Sequence, residues 1–171
     1  SPLIQILQQP SMRVFYATLH NNKPPTNDVH FRRAICYAFD YESWIKHSMN
    51  DQVDRNIGPI PNPMWGSLDP KTEFGYTYNL EKAREELKQC KVDWKKYLPI
   101  EQVPLAGYPT CVQGAEFLQA CLKRVGIDTV IVPKPWALGT EITRKQETTP
   151  SIWWLWRSTY YPDPHSWIGE M

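Results

Sequence analysis

The residues able to do chemistry are few and scattered. His20, His30, His47 and His165 fall in different segments, so a metal site could form from them only if the fold gathered distant elements. Solvated or structural histidines are the expectation, and folding is expected to need no metal. The cysteines, Cys36, Cys90, Cys111 and Cys121, contain no C-x-x-C pair, which argues against a zinc ribbon or a thioredoxin-type centre. Cys90 and Cys121 lie on apolar helical faces, where a thiol packs as a small hydrophobe. A disulfide in an oxidising compartment stays open for the four, with three possible pairings of all of them. Asp40 with Glu42, and Glu85 with Glu86, are helical carboxylates for which solvation or capping suffices. Acid/base work would need two carboxyls held in contrasting environments across one cleft, and no spacing here demonstrates that. G-x-S-x-G, H-E-x-x-H and G-x-x-x-x-G-K-[ST] are all missing. Neither an enzyme nor a bound cofactor is expected.

Two features suit binding better than catalysis. Arg32 stands four residues from Cys36 and eight from Asp40 along one helical stripe. An exposed or interlobe ion pair accounts for it, with direct ligand contact as the sharper reading. The stretch SIWWLWRSTYYPDPHSW (151–167) carries four tryptophans and two tyrosines beside a Pro-Asp-Pro. Its rings either fill a core or line a cleft. Alternation along a strand would set Trp154 and Trp156 on one face and Trp153 and Leu155 on the other.

These residues need a frame. The chain has 171 residues, enough for one domain or a large lobe, and a net charge of +1 that offers nothing to nucleic acid. No apolar run approaches the roughly 20 residues of a membrane span. No signal peptide is read, so the chain is cytosolic, mature or an excised piece. Sixteen prolines are nearly twice the usual share of about 5% and predict stiffened loops, clearest at 57–70.

The coarse pattern predicts a strand over 11–19, then a helix over 29–48 capped by Asp28. A second helix follows from Asn79 to Gln89, with Leu80, Ala83, Leu87 and Cys90 inward. A strand over 102–106 leads to a helix reaching about Val125, opened by a Thr110–Gln113 capping box and ended by Gly126. The strand IDTVIV (127–132) would pair parallel with the first and sit near the sheet centre, buried on both faces. A weaker helix near 137–146 and the aromatic strand 151–157 complete an α/β pattern.

The order of pieces is familiar. KPPTNDVHFRRAICYAFDYE resembles the signature of family 5 extracellular solute-binding proteins, the oligopeptide-, dipeptide- and nickel-binding components of ABC importers. Pro24, Pro25, Asp28, Val29, Arg32, Ala34, Ala38 and Asp40 fall in step with it. GPIPNP (58–63), YTYNLEKAREEL (76–87), KRVGIDTVI (123–131) and YPDP (161–164) are similar to later motifs of the family, in the same order.

The resemblance implies a periplasmic-binding-protein-like (type II) lobe, a mixed sheet flanked by helices. It implies one truncated second lobe over 1–171, starting past a hinge and stopping before the strand that returns to an absent first lobe. Function would be non-catalytic capture of a peptide or similar solute outside the cytoplasmic membrane, in the periplasm or on its outer face. The receptor, a monomer, would deliver its solute to ABC permease subunits by lobe closure; whether it is soluble or a lipoprotein stays open. Departures are His20 for an asparagine, His30 for an arginine, and the family's Trp-x-x-Asp, where an aspartate receives a peptide's amino terminus. Thr159 or Tyr160 stands at that place. The resemblance thus points to Trp156, Thr159 and Tyr160 as ligand contacts, to Arg32 as a ligand or interlobe contact, and to Trp153 and Trp154 as core. A nickel chelate, haem or oligosaccharide is the alternative solute. A hydrolase and a carbohydrate-binding module are the remaining classes.

Overall fold

The computed structural model describes residues 7, 9–69, 71–72, 75–158 and 161–169. The chain packs as two compact units. One comprises Phe15–Val53 and Tyr76–Trp156, the other the described residues within Ser1–Val14, Asp54–Gly75 and Arg157–Met171.

The larger unit is built on a sheet whose strands are β1 (Arg13–Leu19), β2 (Ile100–Pro104), β3 (Thr129–Ile131) and β4 (Ile152–Ser158), in the order β1-β4-β2-β3. β2 pairs parallel with β3, Ile100 opposite Thr129, and parallel with β4, Gln102 opposite Ile152. β1 runs against β4: His20 N donates to Ser151 O and Thr18 Oγ1 to Trp153 O, while Phe15 meets Trp156. The sheet is therefore mixed, as expected.

The position of IDTVIV is a correction. β3 lies at an edge of the sheet rather than near its centre, and Val130 is 41% exposed. The central pair is β2 and β4, whose Val103, Ile152, Trp153 and Trp154 are buried. Along β3 Thr129 is buried, Val130 exposed and Ile131 half-buried, so the strand is not buried on both faces either; strand order is set by tertiary contacts that a local pattern does not carry.

Helix α1 (Val29–Ala38) starts where expected, because Asp28 Oδ1 accepts the free amides of His30 at 2.8 Å and Phe31 at 3.4 Å. Its end is another correction: it stops at Ala38, ten residues short of the expected 48. Phe39 is extended, and Asp40 caps a new helix, α2 (Tyr41–Ser43), which runs into a π-helical turn, Trp44–Ser48. Helix α3 (Leu80–Gln89) is capped by Asn79 and packs Ala83 and Leu87 inward, against α1.

α4 (Pro109–Lys123) connects β2 to β3 and packs on both. Its start is a third correction: Pro109 occupies the first turn after Tyr108, and no side chain caps it, so Thr110 and Gln113 form no capping box. Proline suits the first helical position because its missing N–H is one of the amides that would have no partner within the helix. The end is as expected. Gly126 adopts φ +84°, Gly126 N bonds Lys123 O and Ile127 N bonds Leu122 O. α5 (Trp136–Ile142) precedes β4.

The smaller unit holds the Pro-rich loop and α6 (His165–Ile168). There Trp167 is fully buried, Arg157 lies over its ring, and Arg157 Nη2 donates to Ser166 O at 2.6 Å.

Candidate functional site

The aromatic strand divides its rings as the alternation requires. Trp153 faces α5, where a Cβ on Gly139 would overlap its six-membered ring. Trp154 faces α4, where a Cβ on Gly114 would lie 2.9 Å from Trp154 Cζ3 and 2.8 Å from Phe15 Cζ. Each flanking helix thus carries a glycine because an indole occupies the space of a side chain. Both rings are core, 7% and 3% exposed.

Trp154 also carries a polar tip inward, and the fold supplies its partner. Its Nε1 donates to Gln102 Oε1 at 2.9 Å, and Gln102 Nε2 donates to Thr129 Oγ1 at 2.8 Å and Ala115 O at 3.1 Å. The buried amide spends its acceptor and both donors, tying β4, β2, β3 and α4 together.

Trp156 is different. The last β2–β4 pair is Pro104 with Trp154, so Trp156 stands beyond the register, at the carboxyl end of the parallel strands. Its ring is partly buried and lies 4.9 Å from Phe15, whose ring also meets Trp154 at 5.4 Å and Trp44 at 5.8 Å.

Two further rings leave the sheet at that end. Ala106 N donates to Lys134 O and Lys134 N to Pro104 O, so the chain exits β2 toward Tyr108 beside the segment from β3 toward Trp136. Tyr108 is 47% and Trp136 57% exposed. Gly107, Tyr108, Pro109, Val112 and Gln113 line an open depression of about 390 Å³. Ligands of open α/β sheets bind outside the carboxyl ends of strands. Tyr108 and Trp136 escaped the sequence reading; each stands a few residues past a strand, and the pairing of β2 with β3 is what brings them to one end.

Of the other candidates, Arg32 Nη1 donates to Thr26 O at 2.8 Å and Asn27 O at 3.0 Å, holding the turn that leads into α1. Asp40, its stripe neighbour, is turned to capping α2, with Oδ2 accepting Ser43 Oγ at 2.9 Å. Thr159 and Tyr160 lie outside the described residues. The Pro-Asp-Pro motif is local architecture: Asp163 Oδ1 accepts His165 N at 2.8 Å and opens α6.

The titratable groups with shifted pKa values serve the packing of helices. Burial opposes the charge on Asp28, yet backbone amides of Lys91, His30, Phe31 and Val92 outweigh it and hold the carboxyl below its ordinary pKa. That carboxylate fastens α1 to the turn after α3, with Oδ2 2.7 Å from Lys91 N. His30 Nδ1 pairs with Glu86 Oε2 at 2.6 Å, again α1 to α3. All four cysteines are free thiols. Burial, only partly offset by Arg32, pushes Cys36 up to about 11, and burial with the charges of Asp28 and Glu86 does the same for Cys90. Such thiols are not activated nucleophiles. Among the described residues no three His, Cys, Asp or Glu side chains converge as a metal site.

The chain belongs to the bacterial extracellular solute-binding proteins, family 5, whose middle region it matches over residues 1–171. That family is extracellular, which places the chain outside the cytoplasm.

Among curated proteins it is similar to the dipeptide-binding protein of Escherichia coli K12, 29% identical over 78% of this chain and 25% of the relative. It is also similar to heme-binding protein A of Haemophilus influenzae, 26% identical over 88% of this chain and 28% of the relative. The chain thus spans about a quarter of the length of these relatives. Among solved structures, the periplasmic binding protein DppA of Helicobacter pylori, in complex with the peptide STSA, superposes with a TM-score of 0.78 at 24% identity. It covers 92% of this chain and 29% of its own. That likeness bears on fold.

Proposed function

We propose that this chain is one lobe, the second, of a two-lobed receptor that captures a peptide or similar small solute and hands it to an ABC permease. The observation that carries the reading is the set of rings at the carboxyl end of the sheet, with Trp153 and Trp154 consumed by the core and Trp156 partly uncovered. Trp156 offers a stacking face, and Tyr108 and Trp136 offer exposed rings at the same end. Thr159 and Tyr160 supply neutral hydrogen-bonding groups where an aspartate would receive an ammonium. Arg32 acts as an interlobe or ligand contact in a secondary role.

No step of this function needs bond chemistry, so the chain is not an enzyme, and it acts as a monomer. Solute contacts to both lobes favour the closed state, and a lobe alone makes only its own share of them. Binding by the isolated chain is therefore weak, with Kd on the order of millimolar.

A second reading, haem or another flat aromatic solute, is supported by the similarity to heme-binding protein A along 88% of this chain. Calorimetric titration with mixed dipeptides, haem, a nickel–histidine chelate and oligosaccharides tests both. Binding of dipeptides or haem, with the others inert, is the expected result. A chain that binds none of them, or only oligosaccharide, contradicts the proposal.

A further inference from the structure

Phe15 is half-buried on β1 and meets three indoles. Its ring lies 5.4 Å from Trp154 and 4.9 Å from Trp156, which share a face of β4, and it stacks on Trp44 at 5.8 Å. Toward α4, a Cβ on Gly114 would lie 2.8 Å from Phe15 Cζ, so the ring reaches into space that a side chain there would fill.

Most of this surround is fixed. Trp154 is buried, and its Nε1 is held by Gln102 Oε1 at 2.9 Å. Trp44 is buried as well, and Gly114 belongs to the fifteen-residue helix α4. Trp156 differs, because it stands partly uncovered beyond the last β2–β4 pair. Closely packed rings hand on their position, since little empty space is left for them to turn into. Phe15 is thus set by the core on one side and meets the rim on the other, at 34° to the Trp156 indole.

We propose that Phe15 is a positioning residue for solute recognition: wedged among Gly114, Trp154 and Trp44, it fixes the plane that Trp156 turns to the solute. The proposal rests on the reading of Trp156 as a solute contact. A ring held in one orientation before binding loses less freedom when a flat or apolar group stacks on it. Affinity and shape preference are then set from behind the contact. A flat side chain is required for this. Leucine would fill much of the space, yet it offers no ring for a tilted pair and brings its own rotamer freedom. Tyrosine is no substitute, since its hydroxyl grows from Cζ, the atom nearest to the place of a Gly114 side chain.

The test compares the parent chain with Phe15→Leu, and with Phe15→Met should the leucine variant not fold. Leu19→Ala is the control: Leu19 is a partly buried residue of the same strand, packed on the same core, so its loss destabilises without touching the wedge. Nitrogen-15 relaxation of the indole N–H is measured first without solute. The expected result is an ordered Trp156 indole in the parent and in Leu19→Ala, and an order parameter below about 0.6 in Phe15→Leu. Mixed dipeptides and haem are then titrated into each chain, and Phe15→Leu should bind roughly three- to tenfold more weakly than the parent, with Leu19→Ala unchanged. A Trp156 indole equally ordered in parent and Phe15→Leu, one loosened as much by Leu19→Ala, or undiminished binding by Phe15→Leu would each overturn the proposal. A parent that binds neither dipeptides nor haem overturns the solute reading instead, and the solute-free order parameters still decide whether Phe15 holds the ring.

Discussion

Trp154→Ala and Trp156→Ala lie two residues apart on one face of β4 and should differ widely in cost. Trp154 is 3% exposed, packs against Phe15 and the glycine of α4, and donates to Gln102. Truncating a buried aromatic costs about 3–5 kcal/mol. Gln102 Oε1 would be left without its donor in a buried site, adding about 1–3 kcal/mol unless water enters. Together these approach the whole stability of a domain, roughly 5–15 kcal/mol. Trp156 is partly buried, and its ring lies 4.9 Å from Phe15. Its loss removes the pair with Phe15, about 0.5–1.5 kcal/mol, and a fraction of a side-chain burial, which leaves it well short of the Trp154 cost. Urea unfolding followed by far-ultraviolet circular dichroism reads both variants without depending on the altered fluorophores. Trp154→Phe extends the series if Trp154→Ala does not fold. Equal costs at the two positions would refute the division of rings into core and rim.

Gly139→Ala should destabilise by at least about 1–3 kcal/mol, because its Cβ would overlap Trp153; urea midpoints check this, and a neutral effect would show that α5 shifts freely. Asp28→Asn should cost about 1–3 kcal/mol near neutrality through the lost charge on its hydrogen bonds. Because the folded-state pKa of Asp28 is depressed, the stability it supplies is present above the ordinary carboxyl value and lost as pH falls through the folded value. The gap between parent and Asp28→Asn in urea titrations should therefore close in acid, and a gap that widens would contradict the assignment. Tyr108→Ala and Trp136→Ala, both at exposed rings, should leave unfolding midpoints within about 0.5 kcal/mol while weakening solute binding in calorimetry.

Much of the frame was legible because it rests on local chemistry. Asp28 and Asn79 are caps whose side chains satisfy the first amides of a helix, and Gly126 takes a backbone conformation that few other residues tolerate. The alternation of 152–158 separated Trp153 from Trp154 because a strand has a period of two. What escaped was partly a competing local signal and partly a matter of distant residues. The break at Phe39 was visible only in Asp40 as a second cap, Pro109 displaced the Thr110 capping box, and IDTVIV said nothing of its edge position. Gly114 and Gly139 read as weak helix formers until the indoles that fill their place are known. For the candidate site, Trp156 was reached from the strand pattern and the resemblance. Tyr108 and Trp136 required the knowledge that β2 and β3 end side by side.

The central claim is that solute is met by the rings at the carboxyl end of the sheet. Eight tryptophans give the chain eight indole N–H probes, and each can be assigned by substitution. Titrating dipeptides and haem into nitrogen-15-labelled chain should shift the Trp156 and Trp136 indoles while Trp153 and Trp154 stay in place. Solute that moves only a tryptophan away from that end, such as Trp94, or a solute that binds with no indole shift at Trp156 and Trp136, would contradict it.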